Sequence, residues 1–301
     1  MDRMEARMSG EQTEDGVETH FTELDRMMGG FHANELLILA ARPSMGKTAL
    51  AMNIAENVVH LGKAPTLFIS LEMSQLELCD RLLCSAARVN GHKMRNGTIS
   101  NEDRAKLVEK AGELANAPLY VDDSPTRTVS EIASAARRIQ RTHDGRLGLI
   151  IIDYLQLIEP DNPRDPRQEQ VAKIARRLKG LARDLKVPVL CLAQLNRQAE
   201  GSSDHRPKLS HLRESGAIEQ DADVVMFIHR EEYYRRGEDA EQFAGMAELI
   251  IAKQRNGPVG EVEMLWQKDF TRFVDKAPER LQAFDDFNSG TGVGVPGADP
   301  F

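Results

Sequence analysis

The sequence predicts an α/β fold, in which a mostly parallel, twisted β-sheet carries helices on both faces and ends in a C-terminal β-hairpin. Short apolar runs of strand length alternate along the chain with longer segments of helical spacing. The run at residues 36–39 leads through a tight turn directly into one of these helical segments. A later strand pattern at residues 247–253 is followed by Asn256-Gly257 and alternating apolar residues, which is typical of a hairpin.

Composition limits the class of protein. The 301 residues suffice for one large α/β domain or two small ones. Hydrophobic residues make up 41% of the chain and charged residues 29%, as in ordinary globular proteins. The formal net charge of −8 predicts no global basic surface. Nucleic acid would therefore have to be bound through a local patch or an assembled channel.

Cysteine usage and hydropathy indicate the compartment. Cys79, Cys84 and Cys191 form no C-x-x-C pair, and their odd number suits a reducing compartment. No stretch reaches the ~18 consecutive apolar residues of a membrane helix, and the N-terminal segment lacks a signal-peptide core. We therefore expect a cytoplasmic protein without a membrane partner.

Composition also predicts a flexible leader at residues 1–16, a folded domain at 17–277 and a flexible tail at 278–301.

Local signals delimit the elements in order. Two capping boxes, Ser74 with Glu77 and Thr128 with Glu131, each open a helix, and Ser100 caps another. The predicted helices cover the short segment TELDRMM, which Thr22 can cap and Gly29-Gly30 ends, and residues 49–61, 75–88, 101–116, about 129–143 and 167–186. The predicted strands after the first cover residues 66–70, 119–121, 147–158, 188–193, 223–228, 247–253 and 272–274.

Residues 41–48 have the pattern of a phosphate-binding loop between a strand and a helix. Such a loop directs backbone N–H groups at a polyphosphate, while Lys47 reaches the terminal phosphates and the Thr48 hydroxyl binds magnesium. Ala41 replaces the first glycine of the general pattern, which a small residue with ordinary backbone angles can do. The alternative is a surface turn that happens to contain Gly-Lys-Thr. The predicted contacts are Ala41, Arg42, Pro43, Ser44, Met45, Gly46, Lys47, Thr48 and Ala49.

Polar residues follow three of the predicted strands, where parallel strands of an open sheet line the ligand crevice. Glu72 could activate the water that attacks a γ-phosphate, or it could only cap the next helix. Asp153 is the type of group that holds the Mg²⁺ of a bound nucleotide, the alternative being an acid that starts a turn. Gln194 could sense the γ-phosphate, although this signal is weak by itself.

Two polar segments are candidates for nucleic-acid binding. Residues 197–220 are predicted to form a long loop, and loops of this length are usually functional or disordered. It includes Arg206, Lys208, Arg213, Glu214 and Gly216. Residues 229–239 mix basic and aromatic side chains, and a mobile surface loop explains them equally well.

Strands alternating with helices, a phosphate-binding loop after the first strand and acids after later strands are typical of a RecA-like P-loop ATPase core. Several segments resemble the motor domain of the DnaB-type replicative DNA helicases. These are AARPSMGKTALAMNIA, FISLEMS, LIIIDYLQLI, LAQLNR, LRESGAIEQDADVVMFIHR and IAKQRNGPVG. They occur in the family's order over residues 17–275, and Ala41 fits the family's own form of the loop.

The resemblance implies a hexameric ring that hydrolyses ATP with Mg²⁺ at its subunit interfaces and moves 5′→3′ along single-stranded DNA. It also implies a role for each candidate residue. Lys47 and Thr48 would bind phosphate and Mg²⁺, Asp153 would be the second magnesium-site acid, Glu72 the catalytic base and Gln194 the γ-phosphate sensor. Arg255, helped by Lys253, would be an arginine finger for the neighbouring subunit, and Arg213, Glu214 and Gly216 would bind DNA.

The family also binds a primase or a helicase loader, and its members carry a helical N-terminal domain and a linker helix ahead of the motor. Here only residues 1–16 precede the matching region. Two other functions stay open at this point. One is another RecA-like ATPase, of recombinase or clock type, and the other is a non-catalytic accessory ring.

Overall fold

A computed structural model describes residues 16–196, 205–235 and 237–276. The strands in this part of the chain are β1 (Leu36–Ala41), β2 (Thr66–Ser70), β3 (Leu119–Asp122), β4 (Leu149–Asp153), β5 (Val189–Gln194), β6 (Val224–His229), β7 (Met246–Gln254), β8 (Gly260–Gln267) and β9 (Arg272–Asp275). They form one sheet in the order β3-β2-β4-β5-β1-β6-β7-β8-β9. Pairing is parallel from β3 to β6 and antiparallel from β6 to β9. The predicted fold class is confirmed, and β9 extends the hairpin of β7 and β8 to three strands.

Helices cover both faces of the sheet, as the sequence predicts. They are α1 (Thr22–Met28), α2 (Lys47–His60), α3 (Gln75–Ala87), α4 (Gly91–Arg95), α5 (Asn101–Leu114), α6 (Val129–Thr142), α7 (Arg167–Leu185), α8 (Gly216–Asp221) and α9 (Glu238–Gln242). Leu36 and Ile38 of β1 pack in the core cluster that α6 and α7 cover, and Leu37 and Leu39 pack in the cluster that α1, α2 and α3 cover. The central strands are buried on both faces, which explains their continuous apolar runs.

The parallel strands create two distinct edges of the sheet. Ala41 is paired with Gln194, and Ser70 is paired with Asp153, so the carboxyl ends of β1, β5, β2 and β4 lie side by side. We call this the carboxyl edge, and the opposite side, where the parallel strands begin, the amino edge. Ligands of open α/β sheets bind at the carboxyl edge.

One strand is clearly shorter than predicted, and a short helix was not predicted. The predicted strand 147–158 ends at Asp153, and a 3₁₀ turn at Leu155–Leu157 follows. This turn brings Leu155 and Ile158 into the core, which a straight strand running past the sheet edge could not do. The sequence also did not predict the short helix α4.

The prediction of a long loop at residues 197–220 is wrong for its second half. A 3₁₀ helix at Leu209–Ser215 leads directly into α8. Leu212, Ile218 and Ala222 are buried in the cluster covered by α7, so a few apolar residues in a polar segment fix its conformation. Residues 197–204, the predicted leader except Gly16, and the predicted tail lie outside the described residues.

Thr128→Ala should lower the free energy of unfolding by about 1 kcal/mol, because Thr128 caps α6. The Thr128 hydroxyl accepts a hydrogen bond from the Glu131 amide at 3.3 Å, and the Thr128 amide donates to the Glu131 carboxylate at 2.8 Å. Urea denaturation measures the change. Ser134→Ala is the matched control, since Ser134 lies exposed within the same helix and should change stability by less than about 0.5 kcal/mol. Equal effects of the two variants would contradict the cap.

Candidate nucleotide-binding site

The turn between β1 and α2 has the backbone geometry of an anion-binding loop. Ser44 and Gly46 adopt left-handed conformations, with φ values of 66° and 97°. No described side chain caps the first amides of α2, so these N–H groups stay available to a ligand. A Cβ atom at Gly46 would lie 2.9 Å from the Phe273 ring, so both conformation and space require glycine here. The alternative of an incidental surface turn does not fit this packed arrangement.

Lys47 and Thr48 converge on the carboxylate of Asp153 at the carboxyl edge. The Thr48 hydroxyl donates to Asp153 Oδ2 at 2.6 Å, and Lys47 Nζ lies 3.5 Å from Oδ1. Lys47 Nζ also lies 4.4 Å from the centroid of the Tyr154 ring. Asp153 lies 105 residues from Thr48 in sequence, and the structure brings it to the loop that follows β1.

Asp153 is fully buried, and its Oδ1 has no hydrogen-bond partner among the described residues. The Lys47 ammonium 3.5 Å away balances the charge of this carboxylate, but a buried oxygen that accepts no hydrogen bond and binds no metal ion is still costly. The carboxylate and the Thr48 hydroxyl are hard oxygen ligands, which Mg²⁺ prefers when phosphates and waters complete its shell. No group of three or more His, Cys, Asp or Glu side chains within the described ranges forms a separate metal site. The residues present therefore fit Mg²⁺ bound together with a nucleotide.

Glu72 lies at the same edge, two residues beyond the end of β2. The adjacent Leu71 amide donates to the Asp153 carbonyl at 2.8 Å, which places Glu72 beside the end of β4. Its side chain is exposed, and its charge acts on Tyr154: burial raises the pKa of the Tyr154 hydroxyl, and the Glu72 and Asp153 charges raise it further. The alternative role as a helix cap does not hold, because Ser74 and Glu77 form the capping box of α3.

Gln194 ends β5 directly beside Ala41, with its side chain exposed at the carboxyl edge. The sequence did not predict its partner Gln156. The side-chain Oε1 of Gln156 accepts a hydrogen bond from the Gln194 main-chain N–H at 3.3 Å. The Nε2 of the same side chain donates to the Gln194 carbonyl, also at 3.3 Å. Arg42 donates to the next carbonyl, that of Leu195, at 3.0 Å. These bonds tie the end of β5 to the turn after β4 and to the phosphate-binding loop.

A second group that the sequence did not predict supports the loop from the C-terminal strands. The guanidinium of Arg230 lies 4.7 Å from the centroid of the Trp266 ring, which in turn packs on Phe273 at 4.7 Å. Arg230 also donates to the Ser44 carbonyl at 3.4 Å. Arg230 is buried, so this residue of the basic–aromatic segment supports the loop and does not belong to a nucleic-acid surface.

Lys253 and Arg255 lie at the amino edge, because β7 is antiparallel to β6. The Arg255 amide donates to the Asp223 carbonyl, at the start of β6. Lys253 Nζ donates to the Glu219 and Ala222 carbonyls, and burial, with the Arg255 charge, lowers its pKa. The six residues of β1 separate the two edges by about 20 Å. The structure therefore does not bring these two cations to the phosphate-binding loop of their own chain.

The predicted DNA-binding residues Arg213, Glu214 and Gly216 are only partly described by the structure. Residues 213 and 214 belong to the 3₁₀ helix Leu209–Ser215, and the side chains of Arg213 and Glu214 lie outside the described part of the structure. Gly216 begins α8 and is exposed.

Among the described residues, no helix combines the length and apolar composition needed to cross a bilayer.

Known proteins are similar to this chain in both sequence and fold. The family of DnaB-like helicase C-terminal domains matches residues 16–275. The replicative DNA helicase DnaB of Geobacillus stearothermophilus is 47% identical over 261 residues, covering 86% of this chain and 56% of that protein. The DnaB helicase of Treponema pallidum is 46% identical over 263 residues, covering 87% and 57%.

Solved structures are also similar to this chain in fold and sequence. One described as an ATPase domain has a TM-score of 0.86 and 39% identity, covering 92% of this chain and 96% of that chain. Another, of a DnaB-like replicative helicase and its interactions with primase, has the same TM-score and identity and covers 65% of that chain. The fold and the loop define a RecA-like P-loop nucleotide-binding core. The chain belongs to the DnaB-like helicase C-terminal domain family, and it spans little more than half the length of these curated relatives.

Proposed function

We propose that this chain is the ATP-hydrolysing motor of a replicative DNA helicase, which assembles as a hexameric ring and moves 5′→3′ on single-stranded DNA. The observation that carries the proposal is the division of the catalytic residues between the two edges of one sheet. The phosphate-binding residues lie at the carboxyl edge, and the candidate finger lies about 20 Å away at the amino edge. Only a second copy of the chain can bring the two together.

Each residue at the carboxyl edge has a separate role in this proposal. Lys47 binds the terminal phosphates, while Thr48 and Asp153 hold Mg²⁺, which supplies charge neutralisation for the phosphates. Glu72 accepts the proton of the attacking water, for which its exposed carboxylate beside the end of β4 is suitably placed. Gln194 contacts the γ-phosphate and relays its presence through the strand end that Gln156 holds.

Arg255 completes the site of the neighbouring subunit, with Lys253 beside it. An arginine supplied in trans stabilises the charge of the transition state and contributes about 10³–10⁵ in rate. Hydrolysis then depends on the assembled ring. Lys253 donates hydrogen bonds to two carbonyls of its own chain, so its part is to hold the backbone next to Arg255 in place.

The segment that contains Arg213, Glu214 and Gly216 would face the central channel and bind the DNA backbone. Six copies of a small cationic segment around one strand explain how a chain with a net charge of −8 binds DNA.

A DnaB-like relative is described with primase. We propose that this chain, too, has a primase or a helicase loader as a protein partner and acts in the cytoplasm.

Unwinding of a forked duplex tests this function. The chain should unwind a fork that has a 5′ single-stranded tail in the presence of ATP and Mg²⁺, and Glu72→Gln should bind ATP without unwinding. Strand exchange without unwinding would favour a recombinase instead. A chain that hydrolyses no ATP, with or without single-stranded DNA, would be an accessory ring.

Arg213→Ala should weaken binding of single-stranded DNA and lower the slope of log K against log salt by about 1 for each lost phosphate contact. Fluorescence anisotropy over a salt series measures both quantities. Arg104→Ala, an exposed arginine on α5, is the matched control and should leave the slope unchanged. An unchanged slope for Arg213→Ala would remove this residue from the DNA-binding surface.

A further inference from the structure

The amino edge contains a buried carboxylate that the proposed function does not use. Asp223 precedes β6, and its side chain is 7% exposed. Asp223 Oδ2 accepts hydrogen bonds from the Leu36 amide at 2.8 Å and from Lys179 Nζ at 2.6 Å. Lys179 also donates to the Asn34 carbonyl at 2.7 Å. The carboxylate is therefore fixed by the start of β1 and by a lysine of α7.

The same residue holds Arg255 through both its main chain and its side chain. The Asp223 carbonyl accepts from the Arg255 amide at 2.9 Å, and Asp223 Oδ1 lies 3.8 Å from Arg255 Nε. Arg255 Nη2 donates to the Gln220 carbonyl at 2.5 Å. The guanidinium is thus held between a buried carboxylate and the last turn of α8, although nearly half of the Arg255 side chain remains exposed.

The last turn of α8 is bound by Lys253 as well, through the Glu219 and Ala222 carbonyls. Cations are favourable at the C-terminus of a helix, where carbonyl groups lack helical partners. The helix α8 follows directly on the segment that contains Arg213 and Glu214. A displacement of that segment would therefore reach Lys253 and Arg255 through their hydrogen bonds to the Glu219, Gln220 and Ala222 carbonyls.

We propose that Asp223, fixed by Lys179, is a positioning residue for Arg255 and links the finger to α8. This inference rests on the proposed role of Arg255 in the neighbouring subunit's site. A neutral side chain at position 223 would remove the carboxylate that pairs with both Lys179 and Arg255. The guanidinium would then lose the fixed position from which it must meet a phosphate, and misplacement of about 1 Å can cost 10²-fold in rate.

Steady-state ATPase kinetics of Asp223→Asn in the presence of single-stranded DNA test this role. We expect kcat to fall at least tenfold, while KM for ATP stays within twofold, because the variant's own phosphate-binding loop lies at the other edge. Lys179→Gln should reduce kcat at least threefold in the same way. Lys173→Gln is the matched control: Lys173 lies on the same helix and is paired with Asp165 and Glu169, and its loss should leave kcat unchanged.

Mixed rings separate a positioning role from a structural one. Glu72→Gln chains supply an intact finger with an intact Asp223, so their addition to Asp223→Asn chains should restore part of the activity. Arg255→Ala is mixed with Glu72→Gln in parallel. Rescue of Arg255→Ala but not of Asp223→Asn would overturn this inference alone, whereas rescue of neither would overturn the proposed finger. A wild-type kcat for Asp223→Asn would also overturn the inference, and if that variant does not fold, the kcat of Lys179→Gln decides.

Discussion

Lys47→Ala is expected to lower ATP turnover by about 100- to 1,000-fold, the usual loss when one preorganised hydrogen-bond donor is removed from a reacting centre. Lys47 Nζ lies 3.5 Å from the Asp153 carboxylate and points over the Tyr154 ring, so its position is fixed before a ligand binds. Steady-state hydrolysis and binding of a fluorescent ATP analogue measure turnover and affinity separately.

Lys106→Ala is the matched control for this variant. Lys106 pairs with Glu102 on the exposed side of α5 and should have no effect on turnover. The Lys47→Ala chain should keep its fold, because Thr48 still donates to Asp153. Hydrolysis at the wild-type rate in Lys47→Ala would refute the assignment of the loop.

Arg255→Ala is expected to lose about 1,000-fold or more in turnover and to keep its affinity for ATP. The reason is positional, because Arg255 lies at the amino edge and cannot contact the loop of its own chain. The same two assays apply, and Arg183→Ala, an exposed arginine on α7, is the control. A variant that loses ATP affinity together with turnover would place Arg255 in its own subunit's site and contradict a finger in trans.

Local signals in the sequence predicted the parts of the site that lie at strand ends. A strand, a Gly-Lys-Thr turn and a helix are contiguous, so residues 36–60 are readable without tertiary information. Asp153 and Glu72 were predictable because parallel strands place their carboxyl ends at one edge. The roles of Lys253 and Arg255 came from the family resemblance, and the antiparallel direction of β7 explains why they lie far from the loop.

The supporting contacts were not predictable, since they depend on packing between distant segments. Arg230, Trp266 and Phe273 reach the loop from about two hundred residues away, and no spacing rule connects them with Gly46. Arg230 directly follows a buried strand and lies in the basic–aromatic segment, but neither feature indicates the loop as its partner. Likewise, three apolar residues in a polar segment did not suffice to predict α8, because burial against α7 decides its conformation.

The central claim is that one ATP site is built from two copies of this chain. Its most direct test is the ATPase activity of a mixture of Arg255→Ala and Glu72→Gln chains, each of which should be inactive when assayed separately. Mixed rings contain interfaces in which the loop and Glu72 of one chain meet the Arg255 of another, so the account predicts that activity returns and varies with the mixing ratio. A mixture that forms mixed rings and remains as inactive as its components would contradict it.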